Sequence, residues 1–387
     1  MESKKILAIL AVVIVVIAGI GIGVSVMNKG DSTAKDTLSI GIANKNGYDP
    51  LIYALEAGYF EDEGLEVTVK WDENGGLTTA ALLAGQVDMT NAGTTPVINA
   101  VHKSSNIKVV ASNCFDKIGK SSMTVIALKT QVDDGSLNLG NLKGSFFDAS
   151  GNYNGKTIGM AYASGYSSSW LKFVQWEAKA EGLTDAQVTT LTTLNGAGGA
   201  IMDLGEASTG VTNLLSVSPT VSIVIGGSDI DVVGNYPDKL AYLQEPSEYL
   251  TEGSAVGGVY IVSEKAYNEK KSAIEKALRA IKKAAAAVND VSDNGKDSEY
   301  FSKLLEYTTK HGAYANETAL LNAVQKRYWG MFLVNDVFDY YNKAEASNAE
   351  THVEGFDLEK SFTNEFLKKI YGDEPYILDR ATNTWSK

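Results

Sequence analysis

The sequence predicts an α/β protein of two similar lobes, each built on a parallel-dominated sheet, joined by a two-strand hinge and tethered to a membrane. Three observations predict it: an uncharged run of membrane length near the N-terminus, strands alternating with helices from residue 38, and a second cycle of the same kind from residue 155.

Residues 6–27 carry no charge and are mostly branched and apolar, with Lys4 and Lys5 before them. At about 1.5 Å per helical residue they reach roughly 33 Å, enough to cross a hydrocarbon core of about 30 Å. A secretory signal has a shorter apolar region and a small-residue cleavage site, for which Ser32, Thr33 and Ala34 would serve. The length favours an uncleaved anchor with the long domain on the extracytoplasmic side. Residues 28–36 are polar and form a tether.

"LSIGIA" (38–43) reads as a buried strand. Asp49 and Pro50 open a helix that Gly58 closes. "LEVTVKW" alternates strictly and is a strand; a helix over 77–84 stops at Gly85; "VDMT" is a strand, "TPVINAVHK" a helix and "IKVVAS" a strand. Strands separated by helices of this length imply parallel pairing with right-handed crossovers. After a loop-rich insertion (131–155) the cycle restarts. "KTIGMA" is a strand, 164–181 a helix, "VTTL" a strand, "NGAGG" a glycine loop, "AIMDL" a helical piece, and "TGVTN" and "VSIVIG" are strands. From Ser263 the chain turns helical, with Ala266, Ile274, Leu278, Ile281 and Ala285 on one stripe and further helices over 298–310, 317–329 and 358–371. The strand "SSMTVIALK" (121–129) would leave lobe one and "GGVYIVSE" (257–264) return to it. Residues 1–36 are thus assigned to anchor and tether, 37–125 with 257–387 to lobe one, and 126–256 to lobe two.

A net charge of −13 argues against nucleic acid or an anionic lipid surface as partner. The single cysteine, Cys114, excludes an internal disulfide, and no lipidated cysteine follows the apolar run. The histidines, at 102, 311 and 352, are too dispersed to suggest a metal cluster. No nucleophile elbow, Walker loop, metalloprotease motif or dinucleotide fingerprint is present, so no enzyme, cofactor or metal is expected. Asn316-Glu317-Thr318 is a glycosylation sequon.

The stretches "GYDPLIYALEAGYFEDEGLEVTVKW", "GGLTTAALLAGQVDMTNAGTTPVINAV" and "NGKTIGMAYASGYSSSW" resemble the substrate-binding proteins of ABC importers in the nitrate/sulfonate/taurine group. The likeness is good over 38–129, fair over 155–215 and weak beyond 290. It implies a type II periplasmic-binding-protein fold and a small oxyanion-bearing solute held between the lobes. It also implies an ABC permease with its ATPase as partners, and a monomer. Alternatives on the same scaffold are a ligand-sensing ectodomain and a thiamine-pyrimidine-precursor binding protein or related enzyme. Ligands of open α/β sheets collect beyond the carboxyl ends of the strands, where helix N-termini offer free amides. The loops expected there hold Gly, Asn, Ser, Thr and Tyr and almost no Arg, so neutral donors would hold the anion. Candidate contacts are Tyr48, Asp49, Gly75, Gly76, Thr94, Thr95, Ser121, Ser122, Ser164, Gly165, Tyr166, Ser167, Asn195 and Asn213. Several have a plain structural reading beside the functional one: Asp49 and Ser164 as helix caps, Gly75 and Gly76 as a tight turn, Tyr48 and Tyr166 as packing beside the cleft.

Overall fold

The computed structural model describes residues 35–103, 106–117, 119–121, 123–161, 163–205, 207–216, 220–226, 233–251, 256–314, 316–331, 359–372, 377–379 and 384–386. The expected membrane-spanning run, 6–27, lies outside them, as does Ser122. Among the described residues no helix is long and apolar enough to cross a membrane.

The first cycle runs β1 (Asp36–Ala43), α1 (Asp49–Glu56), β2 (Leu65–Asp72), α2 (Gly75–Leu83), β3 (Met89–Ala92), α3 (Thr94–Lys103) and β4 (Ile107–Asp116). The strict alternation of 65–71 pairs β2 with β1 in parallel, from Asp36 opposite Leu65 to Ala43 opposite Asp72. Pro50 lies in the first turn of α1, where its missing amide costs nothing. At Gly41 an added Cβ would stand 3.3 Å from Thr78 and Thr90, so the absence of a side chain lets α2 settle onto the sheet.

The second cycle runs β5 (Thr124–Leu128), α4 (Leu142–Phe146), β6 (Ile158–Ala161), α5 (Ala163–Glu181), α6 (Asp185–Thr192), β7 (Ile201–Gly205), α7 (Ala207–Leu215), β8 (Ile223–Gly226) and β9 (Leu240–Leu243). Three expectations are corrected here. "VTTL" lies in α6, "AIMDL" forms β7, and "TGVTN" lies in α7. Thr184 and Gln187 form a capping box that starts α6, the Thr184 hydroxyl accepting the Gln187 amide and Gln187 returning to the Thr184 amide. That local bonding overrides the β-branched run behind it. Thr184→Ala should cost about 1 kcal/mol in urea denaturation, whereas exposed Thr189→Ala, which touches no cap, should be near neutral.

The chain then makes β10 (Val256–Ser263), α8 (Lys271–Asn294), α9 (Phe301–Lys310), α10 (Glu317–Val324) and β11 (Arg327–Trp329). The helix expected over 317–329 therefore stops at Val324, and its last residues are a strand against β4. The apolar stripe of α8, including Ile274, Leu278 and Ile281, is buried against lobe one, packing on α1.

The strands assemble into a six-stranded sheet ordered β11-β4-β10-β3-β1-β2 and a five-stranded sheet ordered β7-β6-β8-β5-β9. Most strands of each sheet run in one direction, in keeping with the expected parallel-dominated sheets, and both sheets are mixed. Each sheet has a parallel trio, β3-β1-β2 or β7-β6-β8, followed by one antiparallel strand. In the first sheet that strand is β10, which arrives from lobe two. In the second it is β5, which arrives from lobe one. The chain thus crosses twice, between β4 and β5 and between β9 and β10, and each crossing delivers the antiparallel strand of the next sheet.

Candidate functional site

The carboxyl ends of β1, β2 and β3 face the same way, because the three strands are parallel neighbours. The helices that follow them, α1, α2 and α3, begin at that end. From lobe two, α5 begins directly after β6 and lies against α2 and α3. Helices that start at three strand ends are therefore gathered together, with their unpaired first-turn amides and the partial positive charge of their dipoles.

The structure brings most of the candidate residues to this place. Gly75 and Gly76 open α2, whose cap is Asn74; its side chain accepts the Leu77 amide at 3.0 Å. Thr94 and Thr95 open α3, and Ser164, Gly165, Tyr166 and Ser167 lie in the first turns of α5; their side chains fall outside the described residues. Tyr48 is buried. Its hydroxyl donates to the Asn91 carbonyl and lies 3.0 Å from the Thr78 hydroxyl, and burial pushes its pKa up to about 12. A Cβ at Gly75 would stand 3.3 Å from that hydroxyl, so Tyr48 and the start of α2 are fitted to each other.

Four candidates are placed elsewhere. Asp49 does not cap α1: Tyr48 occupies the cap position, and the buried Asp49 carboxylate accepts the Tyr314 hydroxyl at 2.8 Å and the Gly47 amide at 3.1 Å. Burial raises its pKa against the pull of these two hydrogen bonds and of Arg327. Asp49 is thus committed to the loop before α1, with no carboxylate oxygen turned to a solute. Asn195 is exposed on the turn that enters β7 at its amino end, the end away from the site, because 200–204 is strand and not helix. Asn213 lies in the last turns of α7, where its carbonyl accepts from Ser216. Ser121 lies on the first crossing, its hydroxyl accepting the Met123 amide at 3.1 Å.

Beneath the site runs a polar network that the expectation of an arginine-free cleft missed. Asn91 and Asn113 both donate to the Gly47 carbonyl, at 2.8 and 2.6 Å, and Tyr260 donates to Asn113 at 2.6 Å. Arg327, brought by β11 and 6% exposed, donates to the Asn46 side chain and sets Nε 3.5 Å from Asp116. The loop 44–48 is therefore held from three strands. Three acceptor oxygens at the ends of β1, β2 and β3 (Asn44 Oδ1, Asp72 Oδ2 and Asn91 Oδ1) are buried with no hydrogen-bond partner among the described residues. Such a set favours a donor-bearing guest. Cys114 is fully buried, and its thiol is pushed up to about 12 by that burial, so it offers no thiolate at neutral pH. Among the described residues no group of His, Cys, Asp and Glu could hold a metal ion.

Comparison with known proteins bears on the fold. The family model described as "NMT1/THI5 like" matches residues 46–203. The fold is similar to that of the alkanesulfonate-binding protein SsuA from Xanthomonas axonopodis pv. citri bound to MOPS. That match has a TM-score of 0.60 at 13% identity and covers 86% of this chain and 100% of that one. It is also similar to the periplasmic nitrate-binding protein NrtA from Synechocystis PCC 6803, with a TM-score of 0.62 at 12% identity over 87% of this chain and 88% of that one. A zinc-bound ligand-binding component of an ABC-type import system from Staphylococcus aureus gives a TM-score of 0.62 at 12% identity, over 87% and 100%. No match among curated proteins was found. The chain has the type II periplasmic-binding fold, and its residues 46–203 match the NMT1/THI5-like family model.

Proposed function

We propose that the chain is the extracytoplasmic solute-binding component of an ABC importer, anchored through residues 6–27. It captures a small solute between its lobes as a monomer and delivers it to a permease. The observation that carries this reading is the gathering of α2, α3 and α5, from both lobes, at the carboxyl ends of the strands. An oxyanion there meets free amides, and ligand contacts on both lobes favour the closed arrangement. The similarity to sulfonate- and nitrate-binding proteins supports the oxyanion. The buried acceptor oxygens Asn44 Oδ1 and Asp72 Oδ2 at the strand ends favour a solute that also carries a donor, which is a taurine-like sulfonate ahead of nitrate. Asp72, at the end of β2, is the carboxylate that would meet the solute's ammonium.

A thermal-shift panel of taurine, ethanesulfonate, nitrate and an aminopyrimidine tests this. Taurine at about 100 times its Kd should stabilise the protein by roughly 2.7 kcal/mol. Ser164→Ala should weaken its binding about tenfold, the loss of one hydrogen bond to a charged group. Asp72→Asn should weaken taurine but spare ethanesulfonate. If no oxyanion-bearing compound shifts the melting temperature, the reading fails. Small-angle scattering should further show compaction on saturation, with unchanged far-ultraviolet dichroism.

A further inference from the structure

A cavity of about 280 Å³ lies where both crossings pass, and none of the residues that open α2, α3 and α5 lines it. Its walls include Lys120 and Ser121 from the first crossing, Thr124 from β5, Glu245 from the second crossing and Lys326 from the turn before β11. These belong to the β11-β4 edge of one sheet and the β9 edge of the other, the edges opposite β2 and β7. Two backbone hydrogen bonds frame the cavity: Lys117 N–H to the Lys326 carbonyl at 2.8 Å, and Gly119 N–H to the Leu250 carbonyl at 3.0 Å.

The lining carries opposite charges that do not meet. Glu245 takes a hydrogen bond from Ser121, but its Oε1, like Thr124 Oγ1, is buried with no hydrogen-bond partner among the described residues. No ion pair joins Lys326 to Glu245 among the described residues. Burial, with Asp116 nearby, pushes Glu245 up to about 7, against the Ser121 hydrogen bond and Lys326. Burial, with Arg327 and Lys120 nearby, lowers the Lys326 pKa, while Glu245 and Asp116 raise it. Two ionisable groups partly stripped of water and not paired with one another each carry a desolvation cost. A guest with a cationic end and an anionic end would offset both. At roughly 30 Å³ per water, the space corresponds to about nine waters, room for a short unbranched chain.

We propose that this hinge cavity is a second small-molecule site, taking a compact ω-amino acid whose ammonium meets Glu245 and whose carboxylate meets Lys326. Thr124 supplies a further hydroxyl to the lining. Because the walls come from both crossings and from both lobes, an occupant here biases the lobe equilibrium and is thermodynamically coupled to the solute site.

Titration calorimetry on the full chain with 4-aminobutanoate and 6-aminohexanoate tests the assignment, with butanoate, hexanoate, butylamine and hexylamine as singly charged controls. At least one amino acid should bind saturably, and its matching controls at least tenfold more weakly. Glu245→Gln and Lys326→Met should each weaken the amino acid tenfold or more. The proposal is overturned if neither amino acid binds, if the controls bind as tightly, or if both folded variants bind like the parent. Should either variant fail to fold, the comparison of amino acids with controls on the unaltered protein still decides.

Discussion

Arg327→Leu should destabilise the protein by roughly 3–5 kcal/mol, read as a fall in the urea midpoint without a change in slope. Arg327 sits on a strand of three residues, opposite Asp116 of β4 in the antiparallel register. Both side chains are nearly inaccessible, at 7% and 6% exposed. The guanidinium serves the Asn46 side chain and Asp116 together, and its charge also opposes the burial-driven rise of the Asp49 pKa. Leucine would leave Asp116 buried without its counter-charge and Asn46 without its donor, which costs more than the pair contributes when intact. Arg327→Lys should recover only part of the loss, since a single ammonium does not reproduce a planar fork. Arg327→Leu combined with Asp116→Leu should be more stable than Arg327→Leu alone, because the stranded carboxylate is gone. A loss below about 1 kcal/mol for the single variant would show that the network tolerates an unmatched charge, contrary to this account.

The network also explains how far the sequence could be read. The first cycle of lobe one, from β1 to β4, was legible element by element because its signals are local: Pro50 in a first turn, the alternation of 65–71, Gly85 after a helix. In lobe two the runs 188–191, 200–204 and 209–213 are too short for their period to separate helix from strand. The deciding signal was the pair Thr184 and Gln187, three residues apart, which starts a helix where strand had been expected. The site divides in the same way. Gly75, Thr94 and Ser164 follow from the rule that ligands meet strand ends and helix starts. Arg327 does not, because its place depends on β11 pairing with a strand some 200 residues earlier, and nothing near "KRYWG" announces that. Asp49 misled for a related reason: its partner Tyr314 is 265 residues away, and the local pattern of Asp before Pro reads as a cap.

Glu177→Gln should stabilise the protein at pH 8 by roughly 3 kcal/mol, the proton linkage of one carboxyl accumulated above about pH 5.5. Glu177 faces inward from α5, 1% exposed, and its carboxyl is hydrogen-bonded to Glu181 one turn later. Both oxygens of Glu181 are occupied, accepting the amides of Leu142 at 2.9 Å and Lys143 at 2.8 Å at the start of α4. Two adjacent carboxyls cannot both ionise there, so Glu177 keeps the proton: burial first, then the bond to Glu181 and its charge, pushes it up to about 9. The folded protein therefore binds one more proton than the unfolded chain between the ordinary glutamate range and about pH 9. Stability must then fall as pH rises through that window, by up to about 1.4 kcal/mol per pH unit for one proton. Glutamine keeps a neutral donor toward Glu181 and cannot titrate, so the variant should lose this slope as well as gain stability. Urea denaturation of both proteins at pH 5.5, 7 and 8.5 measures it. Equal stability at pH 5.5 with a widening gap toward 8.5 is the expected pattern. A variant less stable than the parent at pH 8.5 would mean that Glu177 is ionised in the fold and that Glu181 does not hold its proton. Because Glu181 fastens 142–143 to α5, the same titration should loosen the segment 131–155 first, and hydrogen exchange at Leu142 and Lys143 should speed up with pH beyond the intrinsic rate in the parent only.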